Sequence, residues 1–274
     1  MLLTDKHIRQ FAVFYLACFV VCYAWFAWHG LLFSSIKPVF FLNKPDLTHN
    51  IFMFTNLQHL LLQNSWLQVV FDVLYLLFPF LLTWSCVRQK KIQPLLALIT
   101  ALFSILYNSF FSSISYVSIE NFLAFMIVPL IFCGRTVKDF YYLLHIIRLV
   151  FILSFFSAAL WKIRAGGWTN VEEMSAILTR QHGSYLIMGN KGFYSSFISY
   201  LINHPVLSYI LYLFAFAAEF IFVVGIFTRK ADKLLLVAFI LFVCFDYLLM
   251  GINYFTWVAF AGCLYFSKYR IAEE

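Results

Sequence analysis

The chain has 274 residues, of which 64% are apolar, 21% aromatic and 11% charged. A soluble domain is about half apolar and about a quarter charged, so a water-soluble globule is excluded. The 35 Phe, 16 Tyr and 7 Trp exclude a disordered chain as firmly, and the net charge of +7 has no extramembrane domain through which to bind nucleic acid.

Lipid is therefore the expected solvent, and the expected fold is an all-α polytopic transmembrane helical bundle. Reading apolar runs against polar breaks predicts about eight spans (7–8) in one integral membrane domain, 1–274. They cover 10–33, 66–86, 93–113, 117–133, 140–163, 206–227, 234–250 and 253–267. The first apolar stretch runs to about 23 residues without a small-x-small site after it, and reads as a retained span rather than a secretory signal. The fourth span is interrupted by Glu120 and Asn121. The last two are separated only by Gly251 and Ile252, so 234–267 either crosses twice or forms a partial hairpin.

Charge sorting gives the orientation. Lys6, Arg9, Arg88, Lys90, Lys91, Arg135, Lys138, Arg229, Lys230, Lys233, Lys268 and Arg270, 12 of 19 basic residues, fall on one side. The positive-inside rule makes that side cytoplasmic and places both termini there, as an even number of spans requires. The expected location is the plasma (inner) membrane of a bacterium. Two external segments remain, 34–65 and 164–205. Within them 51–64, 171–180 and 193–203 have the spacing of short amphipathic helices, and glycines at 166, 167, 183, 189 and 192 mark turns.

Ionisable groups inside spans are the informative residues, because each costs about 2.5–3.5 kcal/mol or more at the bilayer centre. Arg148 and Glu219 each lie eight residues, about 12 Å, from the same face, which predicts an ion pair tying the fifth span to the sixth. The alternative is a direct role in chemistry. His29, Asp72, Glu120, Lys162 and Asp246 lie toward the external third and suggest an outward-opening polar pocket; the alternative is that each snorkels separately. Arg148 and Lys162 are 14 residues apart and so share a helix face. Beside Trp161, Lys162 could work as a base, bind an anionic headgroup or simply snorkel. No metal-ligand spacing, phosphate loop or nucleophile elbow is present.

The run RLVFILSFFSAALWKIRAGGWTN, Arg148 to Asn170, resembles the central motif of the vitamin K-dependent gamma-carboxylase membrane domain and its bacterial relatives, the horizontally transferred transmembrane (HTTM) family. The matching positions are Arg148, Phe156-Ser157-Ala158-Ala159, Lys162 and Trp168, followed by Glu219 and the basic turn Thr228-Arg229-Lys230. The resemblance covers about 120 residues. It implies Lys162 as general base toward a quinone- or lipid-like substrate, with Arg148 and Glu219 in support. The family's fourth-span histidine falls near Tyr116 and its seventh-span histidine near Phe245 or Asp246. The large lumenal propeptide-binding domain has no counterpart. Small quinone-linked membrane subunits of the DoxX kind are similar in the same general way.

Three functions follow as alternatives. The first is a membrane enzyme at the outer face, with Lys162 as base and Asp72, Glu120, Trp168, Asp246 and His29 about the substrate. The second is a non-catalytic subunit or assembly factor that docks a membrane or periplasmic protein through 164–204. The third is a transporter, against which the lack of inverted-repeat symmetry counts.

Overall fold

The structure, a computed structural model, describes residues 2–37, 50, 54, 57–115, 117–188 and 192–270. Every regular element among them is helical. Six helices are long and apolar enough to cross a bilayer: Asp5–Trp28, Ser65–Val87, Gln93–Ile114, Val137–Arg164, Pro205–Phe227 and Arg229–Met250. We label α1 (Asp5–Trp28), α2 (Leu57–Gln63), α3 (Ser65–Val87), α4 (Gln93–Ile114), α5 (Leu123–Ile127), α6 (Val137–Arg164), α7 (Glu173–Ile187) and α8 (Phe193–Asn203). The remainder are α9 (Pro205–Phe220), α10 (Val223–Phe227), α11 (Asp232–Met250) and α12 (Val258–Phe266).

Local chemistry sets several of these boundaries. The amide of Thr4 donates to His7 Nδ1 at 3.1 Å and Asp5 faces the amide end of α1, so an anion sits where the helix dipole favours one. Asn64 Oδ1 accepts from the amides of Trp66 and Leu67 and starts α3. Gly251, at φ 64°, ends α11 in the left-handed conformation that favours glycine. Of the predicted amphipathic segment 51–64, the described part includes the short helix α2; 51–53, 55 and 56 lie outside the described residues, as does Tyr116.

Two predicted spans are shorter than a crossing helix: Ile119–Cys133 and Phe255–Phe266. The first is broken, with 3-10 turns on both sides of α5. Pro129 cannot supply the amide a continuous helix needs there. The two segments satisfy one another. Trp257 Nε1 donates to the Glu120 carbonyl at 3.0 Å, and Thr256 Oγ1 donates to the Asn121 carbonyl. Irregular backbone at membrane depth is tolerated where protein covers it, as here.

The sequence shows no linker, yet the contacts group into two compact units, 1–147 with 255–274, and 148–254. The division falls inside the continuous apolar helix α6, where composition carries no signal. In the first unit α4 carries a buried stripe of Ala97, Thr100, Ala101, Ser104 and Asn108, small or polar residues that let neighbouring backbones approach. Thr100 Oγ1 reaches the Phe78 carbonyl of α3, and Thr83 of α3 reaches the Ala12 carbonyl of α1. Rings fill the rest: Tyr75 stacks on Tyr107 at 3.8 Å, and Phe19 meets both Tyr75 and Phe125 at 4.9 Å. The Leu3 amide donates to the Arg270 carbonyl at 2.7 Å, so the chain's first and last described residues lie side by side.

Packing of α12 on α1 depends on one glycine. A Cβ at Gly262 would sit 2.6 Å from Phe11 Cε2 and under 3.0 Å from two atoms of the Phe14 ring. Aromatic rings yield less than aliphatic chain ends, so Gly262→Ala is expected to cost about 1–3 kcal/mol by overpacking. Denaturant titration in mild detergent checks this; a loss below about 0.5 kcal/mol would show that the contact relaxes freely.

Candidate functional site

The buried charges of the second unit lie along α6 and form two clusters. At the first, Arg148 is 3% exposed and meets Asp232, the first residue of α11, through both guanidinium and carboxylate edges. The Nε–Oδ2 distance is 2.7 Å, and Nη2 also donates to Oδ1 and to the Gly225 carbonyl at 2.9 Å. A two-edged pair with a further carbonyl is the geometry that best repays burying a guanidinium.

At the second, Lys162 Nζ donates to Glu219 Oε1 at 2.8 Å. The lysine side chain is 25% exposed and the glutamate 5%. The ammonium also lies 5.5 Å from the centroid of the Tyr212 ring. Asp246 is 8% exposed and within electrostatic reach of both Lys162 and Glu219. Glu219 Oε2 is buried without a hydrogen-bond partner.

The expected Arg148–Glu219 pair is therefore replaced by two others. Counting residues from the membrane face places the two Cα atoms level but ignores side-chain direction. Side chains lean toward the N-terminus of their own helix. Arg148 on α6 leans back along the helix toward 225–232, whereas Glu219, on a helix entering from the opposite end, leans toward Lys162. The pair members point apart. The chain also leaves regular helix after Phe220, and the short α10 delivers Gly225 and then Asp232 to the guanidinium. The shared face of Arg148 and Lys162 is present as expected, since both engage residues of 205–250.

The remaining candidates divide by unit. Trp168 belongs with the second cluster through its backbone: its carbonyl accepts from Tyr209 Oη at 2.5 Å, while the ring is exposed. Gly166, at φ 75°, makes the turn beyond α6, and a Cβ on Gly167 would sit 2.6 Å from Tyr212 Oη. The two glycines thus bring the segment after α6 against the tyrosine that covers Lys162. Helices α7 and α8 pack together through Met174, Leu178, Ile198 and Leu201, against Tyr212 and Leu249. His182 of α7 bonds the Leu249 carbonyl at 2.7 Å.

Asp72, His29 and Glu120 lie in the first unit, each with partners of its own. Asp72 is 3% exposed and accepts from the Phe33 amide (3.2 Å), the Ser34 amide (2.9 Å), Ser34 Oγ (2.6 Å) and Tyr107 Oη (2.6 Å). It clamps the chain leaving α1 instead of presenting a free carboxylate. The cavity beside it, lined by Tyr23, Tyr75 and Tyr107 among others, measures about 10 Å³, room for one water at most. His29 caps α1, with Nδ1 2.8 Å from the Trp25 carbonyl. Glu120 is exposed and accepts from Ser118 Oγ at 3.0 Å.

Sequence reasoning missed Asp232 and Tyr212. Asp232 is hidden in a run of cations, 229–233, which reads as a topology signal; a lone acid beside them was the available clue. Tyr212 stands seven residues, two turns, before Glu219 on one helix face. Among the described residues, no three His, Cys, Asp or Glu side chains converge as a metal site would require.

Fold and buried charges together define the class: an all-α, polytopic integral membrane protein with ionic clusters among its spanning helices. No family model, curated protein or solved structure matches the chain.

Proposed function

We propose that the chain is an enzyme of the outer membrane face that takes a proton from a quinone- or lipid-like hydroxyl substrate, with Lys162 as base and Glu219 and Asp246 in support. One contrast carries this reading. Arg148 and Asp232 are both buried and meet through two hydrogen bonds, whereas Lys162 remains partly accessible and Glu219 keeps an unpartnered buried oxygen. An ionisable group inside a membrane protein costs enough to mark function by default, and a pair left incomplete has capacity for a ligand hydroxyl. As a base, Lys162 gives its proton to Glu219 or Asp246 and then accepts the hydroxyl proton of the substrate. The resemblance of Arg148–Asn170 to the HTTM and gamma-carboxylase membrane domain gives Lys162 the same role. On this reading the basic turns face the cytoplasm of a bacterium, and the cluster lies toward the outer leaflet.

Mass spectrometry of extracts from the purified protein tests the proposal. A quinone- or lipid-like molecule should co-purify with the wild type and be lost, by about tenfold or more, from Lys162→Gln and Glu219→Gln. Both variants should stay folded: in Glu219→Gln, Lys162 can extend to the interface and Gln fills the space of Glu, and in Lys162→Gln the Glu219 carboxyl can take up a proton. Undiminished ligand in the two folded variants would sink the assignment.

A second reading, a non-catalytic subunit, is favoured by one feature. Ile187 and Met188 at the end of α7 and Phe193 at the start of α8 are 87, 79 and 88% exposed. A polar replacement of these three, with Lys162 intact, should then dissociate a complex visible on native gels. Lys162→Gln should leave that complex whole.

A further inference from the structure

The first unit contains a feature that the Lys162 cluster does not use. Four helix ends meet on its basic face: the start of α1, the end of α3, the start of α4 and the start of α6. Between them lies a cleft of about 580 Å³, a volume in the range of small-molecule sites. Lys90, Lys91 and Arg135 all line it. They come from two separate turns, 88–92 and 134–136, that the fold brings to one place.

The cleft's polar groups are set for an anion. Among the described residues, neither lysine nor Arg135 has an ion-pair partner. The one carboxylate in the lining, Asp5, accepts from Gln89 Nε2 at 3.0 Å. Gln89 itself adopts φ 50°. The neighbouring Asp139 is occupied by the amides of Arg135 and Thr136, at 3.2 and 3.0 Å. Three cations therefore face the space against one carboxylate already engaged. Amides at the start of α4 add the positive end of a 22-residue helix.

Position narrows the ligand. The cleft opens where spanning helices begin and end, which is the level of lipid headgroups. Basic pockets between spanning helices at that level suit phosphate-bearing headgroups, and one of this size admits more than a bare ion. The geometry points to a binding site for a phosphate-bearing anion, supplied by an anionic phospholipid of the surrounding leaflet.

The experiment uses the full chain in neutral detergent, titrated separately with phosphatidylglycerol, phosphatidylcholine and inorganic phosphate, with thermal midpoint and native mass spectrometry as readouts. Phosphatidylglycerol should bind and raise the midpoint, while phosphatidylcholine should not. Each cation near an anionic surface is worth about fivefold in affinity, so Lys90→Gln/Lys91→Gln/Arg135→Gln should bind roughly a hundredfold more weakly. All three side chains are exposed, so that variant should fold, and Lys90→Arg/Lys91→Arg should retain binding. Inorganic phosphate producing the full shift at equal concentration would overturn the lipid as the source. Unchanged phosphatidylglycerol binding in the triple variant, or equal binding of phosphatidylcholine, would overturn the site.

Discussion

Replacing Arg148 with Met should destabilise the protein by about 3–5 kcal/mol, the largest single loss expected from any side chain in the second unit. The cause is what stays behind. Asp232 is buried at 3% exposure, and without the guanidinium its carboxylate loses its charge partner, while the Gly225 carbonyl loses a donor. Because the cost comes from a buried carboxylate deprived of its guanidinium more than from the lost attraction, Arg148→Met/Asp232→Leu should recover most of it. Denaturation in detergent of the wild type, both single variants and the double closes the cycle. A single variant losing under about 1 kcal/mol would show that water reaches the pair and screens it. Lys162→Gln, measured beside them, is expected to cost less, because the 25% exposed ammonium shows that water reaches that pair and screens it.

Asp72→Ala should produce the second large effect, about 3 kcal/mol or more. Four donors converge on that carboxylate, and a buried donor left unpartnered costs about 1–3 kcal/mol. The hydroxyls of Ser34 and Tyr107 can turn elsewhere; the amides of Phe33 and Ser34 cannot. The loss should therefore have a local signature, with amide exchange over residues 31–37 accelerated far more than in α3 or α4. Asp72→Asn keeps one acceptor oxygen but turns an amide group toward donors, so its loss should fall between wild type and alanine. Unchanged exchange over 31–37 in Asp72→Ala would remove the carboxylate as the clamp.

These two sites show where sequence reasoning ends. Arg148, Lys162, Glu219, Asp72 and Asp246 are all visible as charges in apolar runs, and the shared face of Arg148 and Lys162 follows from spacing alone. Their partners are less visible. Asp72 bonds chiefly to backbone amides, which every residue but proline carries, so no residue type announces them. Asp232 looks like part of a basic turn. The choice between Asp232 and Glu219 for Arg148 depends on side-chain lean and on the break after Phe220, neither of which appears in a hydropathy profile.

The helix ends show the same division. The apolar runs place α3 within one residue of its predicted limits, 66–86 against Ser65–Val87, and α1 within five, 10–33 against Asp5–Trp28. The segment 117–133 reads as a span by composition, but its backbone is irregular, because Thr256 and Trp257 from a distant stretch bond its carbonyls.

The sequence by itself determined the solvent, the helical class and the short list of buried charges. Each of these follows from composition or from a period of 3.6 residues, which are local properties of the chain. The tertiary structure alone decided which charges neutralise one another, which carboxylate clamps a loop and which cations surround a cleft. Those outcomes depend on reaching within about 3 Å between segments far apart in the chain, and only packed helices with fixed side-chain directions set such distances.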